Sequence, residues 1–216
     1  MLLSNADLEA VRTAVAEAEK RTSGEIVPYV VPASDGYPNA LWKGAAFGGL
    51  AGPLLAVALL HLWDLWGSHL ELWIALPAAA GAAVGFLLAA FVPPVKRRLA
   101  GDEMLELRTR QRAEMAFLEE EVFRTRDRTG ILLFLSLFEH RVVVLADSGI
   151  HTLVQPGQWD GVAAGIAAGI RAGKAREALL TAIQTCGELL ERHGVARRAD
   201  DVNELPDGLR RGRGPE

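Results

Sequence analysis

The 216-residue chain is half hydrophobic and 23% charged, with a formal net charge of −4, unlike the clearly basic balance of a nucleic-acid binder. Its one cysteine, Cys186, excludes an intrachain disulfide and a cysteine-rich metal site. The charge is segregated: Asp, Glu, Lys and Arg are absent from residues 44–63 and again from 72–95.

In chain order, Met1 is followed by Ser4, Asn5, Asp7 and Glu9 rather than by the basic and then apolar run of a signal peptide, so export of this first segment is not expected. Ser4, with Asp7 three residues on and then Leu8, Val11 and Val15, predicts an N-capped amphipathic helix that Gly24 ends. Residues 25–31 read as a strand, in which Pro28 favours an edge or a strand end. Residues 32–40 are rich in turn formers and predict a linker.

The two uncharged stretches come next. Twenty helical residues rise about 30 Å, roughly the thickness of bilayer hydrocarbon. Residues 44–63 meet that length and 72–95 exceed it. Trp42, Trp63, Trp66 and Trp73 lie at or near their ends, where indoles sit among headgroups, and membrane helices tolerate Pro53 and Pro77. The segment 64–71 is too short for a domain, so the helices are expected to pair antiparallel. Lys43 precedes the first, and Lys96, Arg97 and Arg98 follow the second, whereas the tip carries Asp64 and Glu71 and no base. The positive-inside rule then predicts a cell (inner) membrane protein with two transmembrane helices and both termini cytoplasmic. The competing reading is a buried helical hairpin in a soluble protein. Gly44, Gly48 and Gly52, with Gly81 and Gly85, recur at four-residue spacing and lay small residues along one helical face. Two uses stay open: packing of the hairpin on itself, or docking of another membrane protein. His61 reads as an interfacial residue.

Beyond the hairpin, residues 102–128 predict one long helix, with Leu105, Leu107, Met115, Phe117, Leu118 and Val122 on its apolar face. Residues 131–137 and 141–146 read as a β-hairpin of interior strands around a polar turn at Glu139 and His140. Residues 158–171 and 174–193 predict two further helices. Neither flank of the insertion can bury a core alone. Joined, they supply at least three strands and four helices, a layered α/β domain made of 1–40 and 97–198 around a transmembrane hairpin at 41–96. The tail, 199–216, with Arg210, Arg211 and Arg213 among glycines, is expected to be disordered and to touch anionic lipid.

Thr22, Ser23, Gly24, Glu25, Ile26 and Val27, then Asp147, Ser148, Gly149 and Ile150 after the paired strands, then Trp159 opening an Ala-Gly-rich helix, resemble the TPM domain family. Asn203, Glu204, Leu205, Pro206 and Asp207 are similar to the ending of bacterial members with an inserted membrane hairpin. The resemblance covers nearly the whole chain. It implies a three-layer α/β/α sandwich with a small mixed sheet. It also implies kinship with members that assist assembly or repair of a membrane complex, some with attributed phosphatase activity or calcium binding.

Glu25, Asp127 and Asp147 lie near expected strand ends, where α/β proteins place ligands, and are the candidate ligands for calcium or another divalent cation. The alternative is structural: Asp147 caps the turn at Ser148 and Gly149, and Glu25 pairs with Arg21 or Arg141. No Gly-rich phosphate loop with lysine, metal-spaced histidine cluster or phosphatase-type cysteine and arginine is present. Trp159 reads as a packing residue or a partner anchor. The leading expectation is therefore a non-enzymatic accessory protein, held in the lipid bilayer to bind or help assemble and maintain a membrane protein complex. The alternatives are a metal-dependent phosphatase using the acidic residues, and a calcium- or magnesium-responsive switch.

Overall fold

The structure, a computed structural model, describes residues 4–63, 70–154, 156–195, 197, 200 and 203–214. Trp66 and Asp64, read above as part of the hairpin tip, lie outside the described residues. The chain divides into two compact units, Met1–Asp35 with Glu106–Glu216, and Gly36–Leu105. The division falls at these positions rather than at 40 and 97, because the hairpin unit takes in the residues before its first helix and a basic helix after its second.

The first unit is an α/β fold. Helix α1 (Asn5–Glu19) starts with a capping box: Ser4 Oγ accepts from the Asp7 amide, and the Asp7 carboxylate accepts from the Ser4 amide at 2.8 Å. Strand β1 (Glu25–Val31) pairs in parallel with β2 (Gly130–Ser136), which pairs antiparallel with β3 (Arg141–Ala146). A fourth strand, β4 (Arg210–Arg211), completes the order β3-β2-β1-β4. Helices α5 (Asp102–Glu119), which belongs to this unit from Glu106 onward, α6 (Ser148–His151), α7 (Pro156–Arg171) and α8 (Ala175–Arg192) supply the rest.

Alternation along the strands separates two cores. Ile26, Val30, Ile131, Leu133 and Leu135 join Val11 and Val15 of α1, Trp159 and Ile166 of α7, and Ile183 and Leu190 of α8. Val27, Tyr29, Val31, Leu132 and Phe134 join Ala113 and Ala116 of α5, with Val122 and Leu205. Tyr29 stacks on Phe134 with centroids 5.8 Å apart, and Arg112 donates to its hydroxyl at 3.1 Å. Burial pushes the Tyr29 phenol above its ordinary value, with Arg112 opposing.

Three sequence expectations change. The tail is not disordered throughout: β4 pairs with Tyr29 and Val30 of β1, and the Gly212 amide donates to the Val30 carbonyl at 2.9 Å. Leu205 enters the second core and Arg210 bonds Glu120 at 2.7 Å, so apolar burial and a half-buried ion pair offset the cost of ordering a glycine-rich segment. The long helix ends at Glu119, not 128. Glu121 takes φ 51°, the Val122 amide reaches back to the Phe117 carbonyl, and Val122 turns into the core. Tertiary burial overrides a helical composition there. Pro28, expected near an edge, sits in a strand with neighbours on both sides. The Leu137 amide donates to Val31 and the Gly212 amide to Val30, so alternate β1 residues face opposite neighbours, and Pro28 faces the β4 side. Pairing with β4 begins only at Tyr29, so the missing Pro28 N–H breaks no ladder bond.

The second unit holds α2 (Pro38–Trp63), α3 (Leu70–Phe91) and α4 (Pro93–Ala100). The expected second span stops at Phe91 rather than 95. Val92, ahead of two prolines, is extended at φ −110°, ψ 96°, and Pro93 starts a new helix. A Cβ on Gly48 would strike the Gly81 carbonyl oxygen, one on Gly85 the Gly44 oxygen, and one on Gly52 the Pro77 oxygen. These pairings run in opposite directions, so the helices are antiparallel and meet backbone to backbone. Both are long and apolar enough to cross a membrane, and only 6% of the most apolar window of each is buried. Neither helix is enclosed by the rest of the described chain.

Two outcomes follow from this packing. Gly48→Leu should destabilise the hairpin by about 1–3 kcal/mol, as overpacking does. Gly49→Ala, whose Cβ would meet only ordinary contacts at 3.5 and 3.6 Å, should be near neutral. Unfolding midpoints in detergent micelles check both. Burial pushes the Cys186 thiol up from 9.0 to about 12, so its contribution to stability is full below pH about 9 and is lost as pH rises toward 12. The native thiol should resist thiol reagents at pH 8. Cys186→Ala should flatten the alkaline fall in the denaturation midpoint.

Candidate functional site

The starts of β1 and β2 and the end of β3 lie at one end of the sheet, because Glu25 pairs with Gly130 and the Asp147 amide donates to the Gly130 carbonyl at 2.9 Å. The three predicted acidic residues are near one another in backbone position, yet their carboxylates do different work.

Glu25 is 5% exposed. Its Oε1 accepts from the Glu204 amide at 3.1 Å and its Oε2 from the Leu205 amide at 3.3 Å. Glu204 in turn accepts from the Arg126 amide at 3.1 Å. Charge-assisted bonds to backbone amides hold the incoming tail segment where Leu205 meets the second core. Asp147, equally buried, caps α6: its Oδ1 accepts from the Ser148 amide at 2.6 Å. Its Oδ2 lies 2.8 Å from Arg128 Nε without a directed hydrogen bond, so that contact is chiefly electrostatic. Asp127 has an exposed side chain, while its backbone carbonyl abuts Gly149 so closely that no Cβ fits there.

Among the described residues, no three His, Cys, Asp or Glu side chains are placed to hold a metal ion. The cap on Asp147 is the structural use weighed in the sequence reading. Glu25 has the tail's amides as partners, a use that reading did not contain.

The neighbouring motif residues serve the same junction. Thr22 Oγ1 donates to the Val195 carbonyl at 2.6 Å and accepts from the Gly24 amide at 3.1 Å. Thr129 Oγ1 donates to the Ser23 carbonyl at 2.8 Å. A Cβ on Gly24 would lie 2.5 Å from Leu190 Cδ1. The stretch Thr22 to Glu25 therefore joins α1, β1, β2, the end of α8 and the tail. Its chemistry is that of a structural seam. Trp159 is 5% exposed in the first core, its indole N–H buried without a hydrogen-bond partner, which makes it a packing residue rather than a surface anchor.

A third buried carboxylate sits at the opposite end of the sheet. Glu139, read from sequence as part of a polar turn, accepts from the Ser34 amide at 2.8 Å and from the Ser136 hydroxyl, while Ser34 Oγ donates to Ser136 Oγ at 2.8 Å. Ser136 is fully buried, so this chain of hydroxyls ties the β2–β3 turn to the end of β1 rather than facing a substrate. The one signal in the sequence was a lone acid between two apolar runs.

No family model matches the chain. No curated protein matches it either. Among solved structures, it is similar to the NMR structure of BA42 protein from the psychrophilic bacteria Bizionia argentinensis sp. nov., with a TM-score of 0.60 and 17% identity over 98% of this chain and 97% of that one. At that identity the likeness bears on the fold alone.

Replacing Glu25 by Ala leaves the buried Leu205 amide and the part-buried Glu204 amide without their acceptor, at a cost of about 1–3 kcal/mol. Hydrogen exchange at Glu204 and Leu205 should then accelerate toward the unprotected rate while amides within α8 stay protected. Unchanged protection at those two positions would remove Glu25 from the role of pin.

Proposed function

We propose that this protein is a membrane-anchored accessory protein: a TPM-like three-layer α/β/α sandwich interrupted by a transmembrane hairpin, its α/β domain and both termini in the cytoplasm. The domain binds, or helps assemble and maintain, a membrane protein complex, without catalysing a reaction.

The observation that carries the reading is the exposure of the hairpin. Large apolar side chains such as Phe47, Leu50, Leu54, Leu62, Leu76 and Phe91 are more than three-fifths exposed on predominantly apolar spans of 25 and 21 residues. Such a surface is stable in hydrocarbon and costly in water, at about 25 cal/mol per Å² of apolar area. The direction of insertion rests on Lys43, Lys96, Arg97 and Arg98 at one end of the pair and Glu71 at the other. A binding role, rather than hydrolysis, is supported by the carboxylates: Glu25 and Asp147 are spent on backbone amides and a helix cap. The glycine faces are spent as well, on the hairpin's own crossing, so a partner would meet the α/β domain or the outer faces of the helices.

With Cys186 replaced by Ala and a single cysteine placed at Ser68, a membrane-impermeant thiol probe should label intact cells. Labelling only after permeabilisation would reverse the topology. Purification from several mild detergents should then recover a membrane protein in stoichiometric amount. Its absence from every detergent would refute the accessory role.

A further inference from the structure

We propose that the hairpin carries a specific seat for one anionic phospholipid, acyl chain in a groove between α2 and α3 and headgroup on the bases of α4. The inference rests on the membrane reading above and adds a ligand to it.

The glycine crossing that brings the two backbones together leaves an apolar groove of about 860 Å³ beside it. Gly48, Gly81 and Val84 line it, and its lining extends from Leu59 past Gly44 to Val95 and Leu99 of α4. From Leu59 to Gly44 is fifteen residues of helix, about 22 Å, longer than one leaflet of about 15 Å. A groove without polar lining holds water poorly, and at bilayer depth the surrounding solvent is hydrocarbon chains. An acyl chain is the occupant of matching shape and polarity.

What selects the headgroup is charge. The break at Val92 turns the chain into α4, whose Val95 and Leu99 lie one turn apart on the face that closes the groove. At 3.6 residues per turn, Lys96 and Arg98 project about 80° to either side of that face, while Arg97 points away. Arg98 is exposed. Lys43, on the first turns of α2, donates to the Leu99 carbonyl at 2.9 Å and so holds its ammonium at the same mouth. The acids in this part of the unit, Asp102 and Glu103, belong to the following helix, α5. A cationic rim around the end of an apolar groove suits a phosphate-bearing lipid with net negative charge, and such basic sites on the cytoplasmic side bind anionic headgroups.

The test is native mass spectrometry of the full-length protein in detergent with equimolar phosphatidylglycerol and phosphatidylcholine. The wild type should retain one phosphatidylglycerol, favoured at least tenfold over phosphatidylcholine. The double variant Lys96→Gln/Arg98→Gln should lose that preference. Val84→Trp, which fills the groove, should lower retention of both lipids. An unfolding midpoint in detergent micelles unchanged from the wild type verifies that the hairpin of each variant is folded. Equal retention of the two lipids by the wild type, or a preference untouched by either variant, overturns the proposal. Alkaline carbonate extraction separates the two readings. A protein that stays in the pellet yet shows no lipid preference refutes the lipid seat alone; one released to the supernatant refutes the membrane reading and the seat with it.

Discussion

The parallel pairing of β1 with β2 is the constraint on which the α/β unit depends. Glu25 lies beside Gly130 and Val31 beside Ser136, although the whole of Gly36–Leu105 and helix α5 separates the two strands in the chain. A parallel pair needs a crossover, and the loop-closure entropy of this one is paid before any strand contact forms. That cost is repaid by burial on both faces: every residue of β1 and β2 is buried, and their alternate side chains supply two separate cores.

Parallel register also explains where the polar motifs went. With the antiparallel pairing of β2 and β3, it brings the starts of two strands and the end of a third to one place, with backbone amides of the tail and of α6 needing acceptors. Glu25 and Asp147 satisfy them. Threonines 22 and 129 perform the same service for carbonyls that no strand reaches. Residues that look like a ligand set in one dimension are, in three, the fasteners of a junction. Acids in a metal site would face a common point, whereas these two are directed at separate backbone groups.

The hairpin unit obeys a different physics. There the glycines remove side chains so that carbonyl oxygens of one helix can approach the backbone of the other in van der Waals contact. The same absence of side chains leaves the groove beside the crossing. Close approach and open groove are two consequences of one pattern, Gly44, Gly48 and Gly52 against Gly85, Gly81 and Pro77.

Local signals settled much of this from sequence. The capping box at Ser4 and Asp7, the uncharged stretches, the glycine spacing and the apolar runs of β1, β2 and β3 are short-range facts, and the elements they predict formed, although α2 begins at Pro38, ahead of the expected 44. What only tertiary structure decided was long-range. The polar, arginine-bearing tail has no apolar periodicity of its own, and it becomes β4 because an exposed edge of β1, a pocket for Leu205 and the Glu25 carboxylate lie ready for it. Val122 leaves a helical sequence for the same reason, since a core position is worth more than another turn of helix. The use of a carboxylate is likewise undetermined by its neighbours in the chain: Glu25, Glu139 and Asp147 take their roles from amides and hydroxyls brought to them by folding.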